Sequence, residues 1–263
     1  MPKIKKIIND PNACAAELLD GLVEAYDGEA KKVGRGCIVM TNIRDNKPAL
    51  LVGGGSGHEP IYHGLVGHNL ADGAACGDIF AAPPPDIVLD GTQAVNRGKG
   101  VLYLYGNYAG DVMNFDIGAE LAAEEGIEVR TVLIYDDVCS APPERKQDRR
   151  GIAGLVPIVK LAGAAAATVD SLDELERLAI KARDNTRSVG VSMAPGSIPA
   201  TGMPTAKMPT GSAAMLSTVL PLAATANTEP LMPEPSGLQA EPFHLAIPLV
   251  LATKATLEKF PPM

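Results

Sequence analysis

The stretch Leu51-Val52-Gly53-Gly54-Gly55-Ser56-Gly57-His58-Glu59-Pro60 decides how this chain is read. An apolar run enters a glycine-rich turn that ends on a histidine. Glycine lets backbone N–H groups approach a ligand at a distance that side chains forbid, and an imidazole exchanges a proton near neutral pH. Spacing excludes three better-known motifs. A dinucleotide fingerprint begun at Gly53 and a nucleophile elbow centred on Ser56 both require glycine where His58 stands, and a phosphate-binding P-loop requires Lys after its last glycine.

Outward from this stretch, short apolar runs recur at residues 37–40, 49–52, 101–105, 129–135 and 189–193, several followed by glycine, Asp or Asn and then a helical pattern. This alternation predicts an α/β fold, a mostly parallel sheet flanked by helices. Helices are expected after Asn12, which can serve as a cap for a stripe of Leu18, Leu19, Leu22 and Val23, and over 114–125, where Ile117 and Leu121 lie four apart. Two more are expected over 151–167 and over 171–183, the last opening on the capping box Ser171-Leu-Asp-Glu174.

The chain has 263 residues, enough for one large or two small domains, and 46% of them are apolar. No run of about 18 apolar residues occurs, and no apolar stretch follows the basic start, so the sequence reads as soluble and cytoplasmic. A net charge of −8 without a basic cluster argues against nucleic acid and anionic membranes as partners. Cys14, Cys37, Cys76 and Cys139 form no Cys-x-x-Cys pair, which favours buried thiols over a zinc site or a disulfide framework. His58, His63 and His68 recur at intervals of five, which does not place them on one helical face, so no metal site is expected. From Met203 the character changes. Seven of the last 61 residues are charged and ten are proline, so residues 203–263 are expected to form a poorly ordered Pro/Ala/Thr-rich tail, and 1–202 the folded domain.

The partner expected for the glycine turn is the segment Tyr105-Gly-Asn-Tyr-Ala-Gly-Asp111. Both segments leave apolar runs, and in an open parallel sheet ligands bind beyond the carboxyl ends of the strands. His58 and Asp111 are thus the candidate catalytic pair, with Asp111 equally readable as a helix cap or first-turn acid. Glu59 reads as a residue that orders the turn by hydrogen bonding. Asp78, Asp86, Asp136 and Asp137 are expected at turns for backbone reasons, and Arg149 and Arg150 on a solvated loop.

Six segments in order carry a family resemblance: 53–60 above, Gly-Asp-Ile-Phe-Ala-Ala-Pro-Pro-Pro-Asp (77–86), Asn-Tyr-Ala-Gly-Asp with Met-Asn-Phe (107–115), Asp-Asp-Val (136–138), Arg-Arg-Gly-Ile-Ala-Gly (149–154) and Lys-Leu-Ala-Gly-Ala-Ala-Ala (160–166). Together they resemble the substrate-binding subunit of dihydroxyacetone kinase, also called glycerone kinase, from residue 3 to about 205. The resemblance implies an α/β domain that binds a short ketose and holds no cofactor itself. Phosphate would come from ATP with Mg on a partner domain, or from a phosphoryl-carrier partner. It further implies that Gly55, Ser56, Gly57 and His58 line the ketose, that Asp111 is the base for the attacking hydroxyl, and that the chain is a homodimer. Gly106 stands where dihydroxyacetone enzymes often carry Lys, as in relatives acting on four-carbon ketoses such as erythrulose. The family's second histidine, in Gly-Ile-His-Gly-Glu-Pro-Gly, has no match, and His244 lies in a different context. The alternatives are therefore a non-catalytic sugar-binding or regulatory module, or an inactive product of a frameshift near residue 205.

Overall fold

The structure is a computed structural model that describes residues 7–190, residues 197–201 and the backbone of 218–221. The tail expected over 203–263 lies, apart from that strand, outside the described residues, as does the end of the run 189–193. Chain contacts group Met1–Leu220 into one compact unit and Pro221–Met263 into another.

A six-stranded sheet forms the middle layer of the first unit. In chain order its strands are β1 (Ala30–Val33), β2 (Cys37–Met40), β3 (Ala49–Ser56), β4 (Gly73–Ile79), β5 (Val101–Gly106) and β6 (Val129–Ile134); in space they run β1-β2-β4-β3-β5-β6. β3, β4, β5 and β6 are mutually parallel. β1 and β2 form an antiparallel hairpin at one edge, so the run 37–40 is not the parallel strand its apolar character suggested.

Both faces of the central strands are buried, as parallel sheets require. Leu50 and Val52 of β3 and Leu102 and Leu104 of β5 point to one core; Ala49, Leu51, Val101 and Tyr103 alternate to the other. Each of the leucines and valines among them contributes about 1.5–3 kcal/mol by leaving water. The first core is closed by α1 (Cys14–Ala25), α4 (Leu155–Ala166) and α5 (Leu172–Asp184), through residues such as Leu19, Ile158 and Leu175. The second is closed by α2 (Pro85–Val95) and α3 (Ala109–Glu124), through Ile87, Val88, Val95 and Phe115. Two short strands, β7 (Thr186–Val189) and β8 (Thr218–Pro221), pair separately.

Several helix expectations are corrected in detail. Asn12 does not cap α1. Its N–H and side-chain amide donate to Asp10 Oδ1, and Ala13 occupies the cap position without a side-chain bond. Ser171 does cap α5, accepting the Glu174 N–H at 3.3 Å, but the Glu174 carboxylate pairs with Arg177 rather than completing a capping box. α3 starts five residues earlier than expected and buries Asp111, Phe115, Gly118 and Ala122, while Ile117 is exposed. A Cβ at Gly118 would press on Val88, so glycine there lets α3 lie close against α2.

Candidate functional site

The order β4-β3-β5-β6 places a topological switch point between β3 and β5. From β3 the chain turns to β4 on one side, then crosses through α2 to β5 on the other. Such a point leaves a crevice at the carboxyl ends of the strands. The glycine segment leaves β3 there, and the α3 amino terminus follows β5 there.

The glycine segment differs from its expected form. Gly53, Gly54, Gly55 and Ser56 continue β3, pairing with β4 from Ala75 to Ile79, and the turn begins only at Gly57. These glycines are set by their neighbours: a Cβ at Gly54 would land on the Tyr62 ring, and one at Gly55 would meet Ala81 N at 2.8 Å. Gly57 has φ 95°, a left-handed conformation that favours glycine, and Phe80 covers it. Where the β3–β4 register shifts at Ser56, the buried Ser56 hydroxyl donates to Gly77 O at 2.6 Å and the Ser56 carbonyl accepts the Phe80 N–H at 2.7 Å.

His58 stands exposed on the turn, its ring centroid 5.2 Å from that of Phe80. Crowding around the ring lowers its pKa, against an opposing pull from Glu59, so His58 is neutral at pH 7. Glu59 orders the turn as expected: Oε1 accepts the Gly57 N–H at 2.7 Å. A cleft of about 830 Å³ opens beside this turn, with Gly57, Glu59, Phe80 and Leu18 in its lining.

Asp111 is the third residue of α3, 7% exposed, and its Oδ1 has no hydrogen-bond partner among the described residues. It is a first-turn acid and not the cap, a position held by Tyr108. Burial pushes its carboxyl up to about 7. Tyr62, Tyr105 and Tyr108 all feel its charge, which adds to the effect of burial in raising their own pKa values. Among the described residues, no hydrogen bond or ion pair joins Asp111 to His58. The two segments are linked instead through shared neighbours. Tyr62 lies over Gly54 and within reach of the Asp111 charge, and the loop after β4 touches Gly55 through Ala81 while its Pro83 carbonyl accepts the Asn114 amide of α3 at 3.0 Å.

A third loop, after β6, is fastened to the same end of the sheet. Asp136 Oδ1 and Oδ2 accept the Ile152 and Gly154 N–H groups at 2.8 and 2.7 Å, the backbone role expected of it. The Asn107 amide donates to Gln147 O and Arg149 O, both at 2.8 Å, and the Tyr108 hydroxyl donates to Gly151 O at 2.8 Å. Arg149 is buried with Nε on Ala141 O and does not lie on a solvated loop; Arg150 pairs with Asp137. Tyr62, Asn107 and Asp136 thus shape the site; the sequence marked Asn107 through its glycine and Asp context and Asp136 as a turn residue, but not Tyr62.

The three histidines have separate surroundings: His58 and His68 are exposed, and His63 is buried against Cys76. Cys37 and Cys76 are buried thiols, whereas Cys14 is partly exposed and Cys139 exposed, contrary to the expectation for those two. Among the described residues no helix is long and apolar enough to cross a membrane.

Residues 20–215 match the family model of the Dak1 domain. A dihydroxyacetone-binding subunit DhaK of the PTS-dependent dihydroxyacetone kinase 2 from Listeria innocua is 44% identical over 202 residues, 76% of this chain and 60% of that protein. An L-erythrulose 1-kinase from Mycolicibacterium smegmatis is 44% identical over 186 residues, 71% of this chain and 33% of that enzyme. The crystal structure of the dihydroxyacetone kinase from C. freundii in complex with AMP-PNP and Mg2+ superposes with a TM-score of 0.67 at 33% identity, over 73% of this chain and 36% of that one. The chain therefore spans less than two thirds of the length of each of these relatives.

Proposed function

The chain belongs to the Dak1 domain family, and from that premise we propose that it is the ketose-binding part of a kinase, holding a short ketose at the carboxyl ends of β3 and β5 for phosphorylation by a partner. The observation that carries the reading is Asp111: a buried carboxyl whose Oδ1 has no partner among the described residues, poised near 7, at the switch point of a sheet whose relatives are named as ketose kinases.

Phosphoryl transfer depends mainly on positioning the attacking oxygen and on stabilising charge. In this reading the ketose hydroxyl lies against Asp111, whose carboxylate takes the hydroxyl proton as the oxygen attacks phosphorus. A base with a pKa near the working pH suits that task. Neutral His58 hydrogen-bonds a second substrate oxygen, and the backbone of Gly55, Ser56 and Gly57 forms the wall beside it. The phosphoryl group comes from a partner, as ATP with Mg or on a phosphoryl carrier. Gly106 supports a four-carbon ketose such as erythrulose alongside dihydroxyacetone: it adds no side chain of its own to the site, and a Cβ there would stand 3.0 Å from the Tyr108 ring. We extend the proposal to a cytoplasmic homodimer, which equilibrium sedimentation tests.

Calorimetry with dihydroxyacetone and erythrulose, followed by phosphorylation with a nucleotide-bearing partner, tests the function. Binding and turnover are expected, with Asp111→Asn lowering turnover by about 100-fold or more while the ketose still binds. Binding without turnover by the intact chain would leave a sugar-binding module. Unchanged turnover in Asp111→Asn would remove Asp111 from the base role.

A further inference from the structure

We infer that His63 is a positioning residue for the ketose-binding turn, acting through Glu59 on the Gly57 backbone; this rests on the ketose-site reading above. His63 opens the short 3-10 helix His63–Leu65 and is 2% exposed. Its Nε2 lies 3.8 Å from Glu59 Oε1, the same oxygen that accepts the Gly57 N–H. Its Nδ1 lies 3.7 Å from Cys76 Sγ on β4. Among the described residues nothing accepts or donates at Nε2, an unusual condition for a buried ring nitrogen.

The Glu59 carboxylate only accepts hydrogen bonds, whereas the Cys76 thiol can donate or accept, so the tautomer that serves Glu59 carries its proton on Nε2 and takes the Cys76 S–H at Nδ1. Burial raises the Cys76 thiol to about 12, which keeps it protonated for that role. Burial also lowers the His63 pKa, with Glu59 pulling the other way, so the ring stays neutral at pH 7. A closure of about 1 Å brings Nε2–H and Oε1 into hydrogen-bond range. The chain of contacts then runs from the thiol through the imidazole and carboxylate to the one backbone N–H between Ser56 and His58. Glu59 is exposed at the rim and would otherwise sample many rotamers. A fixed donor beneath it selects the rotamer that holds Gly57.

The test compares His63→Leu, which fills the space without a donor, with His63→Gln, which returns an amide N–H near the Nε2 position. Exchange of the Gly57 amide is followed by NMR in each, with and without Glu59→Ala. His63→Leu is expected to speed Gly57 exchange and weaken erythrulose and dihydroxyacetone binding, each about 10-fold, with the β5 amides unchanged and His63→Gln restoring both. In a Glu59→Ala background His63→Leu adds nothing, because the intermediary is gone. Equal cost in both backgrounds, or faster exchange throughout β4 and β5 without rescue by Gln, would make His63 a packing residue and overturn the inference. Glu59→Gln, at an exposed position, gives a reading that does not depend on the fold tolerating Leu: it should lower the His63 imidazole pKa followed by NMR, and an unmoved pKa refutes the contact. If the wild-type protein bound neither ketose, the functional reading would fail, while Gly57 exchange and the His63 titration would still decide the role of His63.

Discussion

Replacing Asp111 by Asn should make the protein more stable at the pH where it would stop turning over. The Asp111 carboxyl is held at about 7 in the folded chain against 3.8 for the free side chain, and the cause is burial. The folded state therefore holds this proton more tightly than the unfolded state. Between these two values the unfolded chain is ionised while the native carboxyl is not, so each added pH unit in that window destabilises the native state by about 1.4 kcal/mol. The window closes near pH 7, so from pH 5 to pH 8 the loss comes to roughly 2.5 kcal/mol. Asn has nearly the same shape and no charge, so its contribution does not change over that range. Urea unfolding of both proteins at pH 5 and pH 8 measures the difference. The stability of Asp111→Asn relative to wild type should rise by roughly 2.5 kcal/mol between the two. Curves that stay parallel to within about 1 kcal/mol, or that diverge in the opposite sense, would show that burial does not set the state of this carboxyl.

The same carboxyl predicts that turnover by the assembled kinase climbs with pH through about 7 as Asp111 ionises and levels off above, with no such rise in Asp111→Asn; a flat profile from pH 6 to 8 with chemistry rate-limiting contradicts the base role. Asp136→Ala leaves the Ile152 and Gly154 N–H groups without an acceptor and should cost about 3 kcal/mol in denaturant unfolding. Gly54→Ala drives a methyl into the Tyr62 ring and should cost about 2 kcal/mol, most of it recovered when Tyr62 is also made smaller.

The layered α/β architecture was legible because β3, β5 and β6 are short apolar runs followed by helical patterns, and because Ser171 announces α5. β4 was not, since Gly73-Ala-Ala-Cys-Gly carries little hydrophobic signal; small residues suit it because β2 and β3 flank it and Val39 and Val95 crowd Gly73. β1, with two lysines in four residues, reads as surface and pairs only at an edge. The face of α3 was misread for a related reason. Ile117 and Leu121 look like its buried stripe, yet the inward residues are Asp111, Phe115, Gly118 and Ala122, one acidic and two small. An acid on the buried face is what the proposed site would impose on a pattern, and hydrophobic periodicity cannot anticipate it. The association of the glycine segment with Asp111 was visible in their positions after strands, whereas Tyr62 carries no periodicity and follows Pro60.

Tyr62 also connects the two halves of the site physically. It has φ 71°, uncommon for a residue with a side chain, and its ring packs down where Gly54 offers no Cβ. It lies near enough for the Asp111 charge to raise its pKa, and both residues are nearly dry. We propose that the glycines of β3 and the raised carboxyl of α3 are one device: the missing side chains admit the ring, and the ring keeps water from the acid. Tyr62→Ala should readmit water and bring the Asp111 pKa down toward the ordinary carboxylate range. Tyr62→Phe should not, because the ring, and not its hydroxyl, excludes the solvent. The midpoint of the pH–turnover profile reports the difference, moving to lower pH in the first variant alone. A midpoint that stayed in place in Tyr62→Ala would mean that other groups shield Asp111 and that the glycines of β3 serve the fold without serving the base.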